Sequence, residues 1–312
     1  MRSWHAPAEQ IAQLRGDANE RLGLPDGEVT VARQVDRHDL APDLADAADA
    51  ADADYHRARQ REVWRRRLLP AVGIATVLLL WAAAVYVFNV PPFIAPSPLL
   101  VVTTLYAKID VLLLNLAPTA FEAVSGFLLG NITAILIATV FVHKKTMEEA
   151  FFPVVVVVNT IPVVAKAPIL VLLLGNGMEP KIAIAALICF FPTLVNMVRG
   201  LESVNPQAME LMRVLSASKS EVFFKLRLYN SLPYLFSALK IAASTAVIGA
   251  IVGEWIGSTY GIGALIIQAM YNFDSAMLYA TVIVGSVFSV VFFLVISFAE
   301  RMIVRWQAPV AH

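Results

Sequence analysis

Two ionisable side chains stand inside long apolar runs. Lys166 lies in IPVVAKAPI, between Pro162 and Pro168, and Glu254 lies in AIVGEWIG. A charge at the middle of a bilayer costs about 2.5–3.5 kcal/mol by insertion scales, so such residues face a bundle interior or a wet cavity. Two readings stay open for Lys166. It lines a solute path and favours anions, or it forms a structural pair with a carboxylate such as Glu254. The flanking prolines favour a broken helix, and broken helices line cavities within membranes. Glu122 and Lys240 fall nearer helix ends, where structural or snorkelling roles are expected.

Other chemistries lack their residues. His5, His38, His56, His143 and His312 all lie outside the apolar runs, and H-E-x-x-H does not occur. This argues against an intramembrane metalloprotease, against paired-histidine haem ligation and against a metal site. A membrane-embedded enzyme would need a nucleophile–base pair or a metal cluster at membrane depth. The dipeptide Gly-Lys never occurs, so there is no P-loop, and any ATP must be hydrolysed by another subunit. Cys189 is the single cysteine and sits in an apolar run, where a buried, inert thiol is expected.

The elements that hold these residues follow from composition. Of 312 residues, 58% are hydrophobic, and the mean hydropathy is +0.69. Soluble domains sit at roughly 45–50% apolar residues, so this chain is built for lipid. A bilayer core of about 30 Å takes about 20 apolar residues per helix. Six segments qualify: 69–90, 116–142, 151–174, 181–199, 233–257 and 280–304. Backbone groups cannot go unpaired in lipid, so each is expected to be helical. Residues 97–113 are expected as a short helix or loop at the interface.

The formal net charge is zero, yet the charges are segregated. Residues 1–56 carry 5 Arg and 12 Asp or Glu, including the Ala/Asp stretch DLAPDLADAADAADAD, which is too poor in large apolar groups to build a core. Residues 57–67, RARQREVWRRR, carry 6 Arg and one Glu and are expected to face anionic lipid rather than nucleic acid. The organisation expected is a cytoplasmic acidic tail over 1–67 with a basic membrane-proximal end, a membrane domain over 68–305, and a short cytoplasmic tail over 306–312. Because the first apolar run begins at Leu68, it reads as a retained anchor and not a signal peptide. Basic residues occupy alternate connections: the 57–67 arginines, Lys144 and Lys145, then Arg199 to Arg227, then Arg301 and Arg305. The positive-inside rule then puts both termini in the cytoplasm.

The longest basic connection, 200–232, carries start signals of its own. Asn205-Pro206 is an N-cap with proline at the first helical position. The helix that follows presents Met209, Met212 and Leu215 at helical spacing. Ser218-Lys-Ser-Glu221 has the capping-box form, and Pro233 is expected to break the chain before the fifth span. The loop reads as a helix-turn-helix. From the residues alone, it either docks on a partner or rests on lipid headgroups.

Within this loop, ELMRVLSASKSEVFFKLRLYNSLPYL resembles the signature loop of binding-protein-dependent permeases: Glu-Ala-Ala, three residues, Gly, then an apolar-x-Leu-Pro ending. Glu210 matches the Glu, Ser216 the Gly and Leu228 the Leu. Leu211 and Met212 replace the alanines, Ser216 the glycine, and Tyr229 the proline. Serine is costly where a turn favours φ > 0. FIAPSP (93–98), NTIPVVAKAPILVLLLGNG (159–177), FFPTLVN (190–196) and SLPYLFSALKIAASTAVIGAIVGEWIGSTYGIGALI (231–266) are similar to the nitrate, sulfonate and taurine permease group, which includes carriers of pyrimidine and flavin precursors. The resemblance covers about 70 to 305.

The resemblance implies an all-α membrane domain of the type I ABC importer kind, with six membrane helices and a cytoplasmic coupling hairpin. It implies that Glu210, Leu211, Met212, Arg213, Ser216, Ala217, Ser218, Glu221 and Leu228 contact an ATPase subunit, which alone holds ATP and Mg. Two copies of the chain and an extracytoplasmic binding protein are the other implied partners, in a bacterial inner membrane. In that family the fifth span lies near the path, which adds Thr245, Gly249 and Gly253 to Lys166 and Glu254 as path candidates. Thr245, Gly249, Gly253 and Gly257 recur every four residues, as do Gly126, Gly130, Ala134 and Ala138. Small residues at this spacing let helix backbones approach closely, either within the chain or across a dimer seam. An ion-coupled secondary transporter is the rival class, and the cargo stays open among anions, pyrimidines and flavin precursors.

Overall fold

The computed structural model describes Trp64 and residues 68–304. The readings for the acidic tail, for the arginine segment apart from Trp64, and for 305–312 lie outside the described residues. The chain forms two units, Met1–Ala75 and Thr76–His312. Of the first, only Trp64 and residues 68–75 are described.

Every regular element among the described residues is helical. Helix α1 is Leu68–Val87. Helix α2, Pro98–Ala107, starts at Ser97, whose hydroxyl accepts from the Leu100 N–H, with Pro98 in the first turn. Helix α3, Ile109–His143, is 35 residues long, or about 52 Å at 1.5 Å per residue, and outreaches a bilayer core. It begins seven residues before the expected start. Asn115, just outside the expected span, donates to the Val111 carbonyl and is satisfied within the helix.

The third expected span, 151–174, is not straight. It comprises α4, Lys145–Thr160, and α5, Val163–Leu174, bent by 99°. Pro162 supplies no N–H and pushes Ile161 to extended backbone, with φ −67° and ψ 125°. Helix α6 is Glu179–Glu202, and α7 is Pro206–Val214. Helix α8 runs from Lys219 to Glu254, with a π-turn at Val222–Arg227. Helix α9, Ile262–Tyr271, was not expected from the sequence, and α10 is Ser275–Ile303. Among the described residues, five helices are long and apolar enough to cross a membrane, or six where the bent pair counts as one span.

Pro233 does not break the chain: α8 continues through it. Gly200 on α6 brings the two helices together there, since a Cβ at Gly200 would stand 2.9 Å from Tyr234 Cβ and 3.0 Å from Ser231 Cβ. A proline removes only its own N–H, and the packed neighbours hold the helix on either side.

Helix α6 is the centre of the membrane domain. On one side the Gly126 and Gly130 steps of α3 meet Ala185 and Ala186; on the other, Gly249 meets the Ala185 backbone and Gly253 meets Lys181. Both small-residue stripes therefore pack within the chain. Three buried clusters follow: Phe127, Cys189 and Ala246 at the middle; Phe141, Leu194, Met197 and Phe223 toward the hairpin; and Val101, Leu112, Leu265 and Met277 toward α9.

A side chain at Gly249 must displace main chain, because its Cβ would fall 2.7 Å from Ala185 Cα. Gly249→Val should therefore cost about 1–3 kcal/mol, the usual effect of overpacking. Ile248→Ala, one residue away and 56% exposed, should cost far less. Apparent melting temperatures in detergent give the comparison.

Candidate functional site

Two regions gather the candidate side chains, and the first is a buried charge cluster. Asn115, Thr119 and Glu122 line one face of α3 at helical spacing, and all three are buried. Lys181 enters from the start of α6 and Glu254 from the end of α8. Lys181 Nζ stands 3.4 Å from Glu122 Oε1, with both side chains under 10% exposed. It also donates to the Ser258 hydroxyl at 2.8 Å, which in turn donates to the Tyr260 carbonyl. Glu122 Oε2 is buried and has no hydrogen-bond partner among the described residues; the Glu254 carboxyl is its other charged neighbour.

Glu254 is engaged on both oxygens. The Thr119 hydroxyl donates to Oε1 and the Gly263 N–H to Oε2, each at 2.5 Å. Thr119 also accepts the Ile262 N–H at 2.8 Å, and Asn115 Oδ1 accepts the Gly261 N–H at 2.9 Å. The opening N–H groups of α9 have no partners inside their own helix, so side chains from α3 and α8 take that place. A carboxylate at a helix N-terminus also meets the favourable end of the helix dipole. Gly261, at φ +119°, permits this approach, since a Cβ there or at Gly263 would run into Glu254.

Glu254 and Lys166 are therefore not paired with each other. Glu254 serves α9, and the Lys166 side chain makes no ion pair or hydrogen bond with the described residues. Instead Lys166 is half-buried on α5 and lines a cavity of about 120 Å³ with Asn159, Leu187, Phe190 and Phe191. Gly249, Gly253 and Glu254 are buried against the chain's own helices. Thr245 is half-buried and caps back onto the Ile241 carbonyl. Glu122 is not near a helix end, because α3 starts early, whereas Lys240 forms a structural pair with Glu300 at 2.9 Å. The polar spacing 115, 119, 122 in an apolar run was the signal for this cluster. What it would meet could not be read from the sequence.

The second region is the hairpin. Asn205 Oδ1 accepts the Gln207 N–H at 3.0 Å, and the Ser218–Glu221 capping box is complete. Ser216 takes φ +51°, so the residue in the signature glycine's place adopts the backbone a glycine would. The π-turn inserts Phe223 into the bundle core, 4.8 Å from the His143 ring. The hairpin is thus fastened to protein. Met209 and Met212 are half-buried, while Leu211, Val214 and Leu215 are 59%, 81% and 66% exposed. Glu210, Arg213 and Ser218 are exposed, Ala217 and Leu228 half-buried, and Glu221 is exposed and paired with Lys225 at 3.0 Å.

Removing the cation of a buried pair leaves an uncompensated charge, which costs about 3–5 kcal/mol. Lys181→Met should therefore lower thermal stability sharply, and Lys181→Met with Glu122→Gln should recover most of the loss. Equal melting of the single and double variants would contradict the pairing.

The family model for the binding-protein-dependent transport system inner membrane component matches residues 126–308. The formylaminopyrimidine transport permease protein of Halalkalibacterium halodurans is 31% identical over 241 residues, covering 77% of this chain and 96% of that protein. The riboflavin transport system permease protein of Chloroflexus aurantiacus is 31% identical over 258 residues, 81% of this chain and 94% of that protein. A putative aliphatic sulfonates transport permease protein of Bacillus subtilis is 27% identical over 252 residues, 80% and 90% of the two chains. A match across the core spans and the hairpin, at nearly the full length of these relatives, means that this chain belongs to the binding-protein-dependent transport system inner membrane components.

Proposed function

We propose that this chain is the permease subunit of an ATP-binding-cassette importer for a small solute, and that residues 206–228 are its contact with the ATPase. The observation that carries the reading is the apolar patch Leu211, Val214 and Leu215, left exposed on a hairpin that is otherwise folded and anchored. Exposed apolar groups on a rigid polar support mark a protein contact. Because α8 is continuous from Lys219 through the membrane, a push on the hairpin is delivered to the span without a joint. ATP and Mg belong to the partner ATPase, and this chain carries out no bond chemistry. Alternate basic connections support cytoplasmic termini in a bacterial inner membrane. They also support the division into a tail over 1–67, a membrane domain over 68–305 and a tail over 306–312.

Two copies would enclose the path and receive solute from an extracytoplasmic binding protein. Helix α4 buries none of its side chains, which fits a face kept for the second copy. Lys166, in its cavity with Asn159, is the residue we assign to favouring an anion, such as nitrate, a sulfonate or taurine. Thr245, Gly249, Gly253 and Glu254 would act as the packing behind that path. A pyrimidine or riboflavin precursor is the second reading, favoured by Phe190 and Phe191 on the cavity wall and by the names of the two relatives at 31% identity.

Leu211→Asp with Val214→Asp should abolish co-purification of the ATPase and reduce ATP-driven uptake at least tenfold, with the melting temperature unchanged. Retained ATPase binding would refute the assignment, and uptake that needs no ATP would point to an ion-coupled carrier. Lys166→Met should lower uptake of an anionic cargo while assembly persists. A thermal-shift screen of the cognate binding protein identifies that cargo, since a ligand at 100 times its Kd stabilises the receptor by about 2.7 kcal/mol. A shift only with a neutral pyrimidine or flavin would retire the anion role of Lys166.

A further inference from the structure

Beside the hairpin lies a cavity of about 410 Å³, walled by the end of α3, by α7 and by the π-turn of α8. Its polar wall is entirely basic or imidazole: Arg213 from α7, Lys219 and Arg227 from α8, and His143 from α3, with no acidic side chain among the lining residues. Its apolar wall includes Met209 and Phe223. None of Arg213, Lys219 and Arg227 has an ion pair among the described residues. The nearby Lys225, by contrast, is matched to Glu221 at 3.0 Å.

The π-turn builds this wall. Val222 and Arg227 are five residues apart, which an α-helix would rotate about 140° away from each other. The wider π-turn brings both onto one side, and Phe223 fastens it to the core. Single π-turns of this sort recur at functional sites.

We propose that this cavity binds a phosphate-bearing anion. Two arginines and a lysine line it, and guanidinium groups recognise phosphate through paired hydrogen bonds. The volume exceeds what inorganic phosphate fills, and the apolar wall suits an attached organic part. One source is the headgroup of an anionic phospholipid, because the cavity lies where α3 ends, and basic pockets at the cytoplasmic side bind such headgroups. The other source is a soluble phosphorylated metabolite. The placement beside the coupling hairpin makes the anion a regulator of ATPase engagement, and that consequence rests on the function proposed above; the binding itself does not.

The test uses the full chain in neutral detergent without ATPase, so its outcome is independent of hairpin docking. Melting temperature is followed during titration with dihexanoyl phosphatidylglycerol, with glycerol 3-phosphate, and with dihexanoyl phosphatidylcholine as the net-neutral control. A saturable upward shift with an anionic probe, and none with phosphatidylcholine, is expected. A response to the lipid alone assigns the site to a headgroup, and a response to glycerol 3-phosphate assigns it to a free anion. Arg213→Gln with Arg227→Gln should weaken the response at least tenfold, and Lys225→Gln should leave it as in the unsubstituted chain. Should the double variant fail to fold, the exposed Lys219→Gln reads the same loss. No shift with either anion, or equal shifts in the unsubstituted chain and in these pocket variants, overturns the proposal.

Discussion

Close backbone packing of α6 between α3 and α8 is the constraint on which the rest of this molecule depends. Lipid tails are as apolar as the helices, so helix association in a membrane must come from fit and polar contacts. Here the fit is made by glycines: Gly126 and Gly130 on one side, Gly249 and Gly253 on the other, with Ala185 and Ala186 between them. No larger residue could stand at these steps without moving main chain. The same approach brings Lys181 of α6 within reach of Glu122 of α3 and leaves both side chains dry.

That dryness explains the polar network at the far end of the bundle. A buried charge must have a partner, and a helix that starts inside protein must have its first N–H groups satisfied. Glu254, Thr119 and Asn115 answer both needs for α9, and Lys181 ties the α8–α9 connection through Ser258. Charge inside the membrane domain is thus used to fix a loop. Lys166, in its own small cavity on the bent α4–α5 pair, is of a different kind, with no partner among the described residues and room beside it.

At the opposite end, the hairpin is a folded, anchored unit with an exposed apolar patch. It is capped at both helices and pinned by Phe223. Its turn takes a positive φ at Ser216, a conformation that usually falls to glycine. Serine there carries some strain, which the capped and anchored helices on either side can hold in place. Helix α8 continues from the hairpin through Pro233 into the span without a break.

The sequence by itself determined the membrane class, six apolar spans, the capped helix-turn-helix and the family signature. Each of these rests on local composition or on spacing within one helix, where periodicity and capping chemistry operate. The prolines around Lys166 pointed to a broken helix, but the sequence did not reveal how sharply that span bends, the passage of α8 through Pro233, or helix α9. Those depend on neighbours. A proline ends one helix and is absorbed in another according to what packs against it, and α9 begins where side chains from two distant helices cap it. Only the tertiary structure decided that Glu254 serves α9 rather than Lys166 and that Lys181 belongs to Glu122. The partner of a buried charge is set by which helices touch, and residues 122 and 181, or 119 and 254, meet only once the glycine steps have closed.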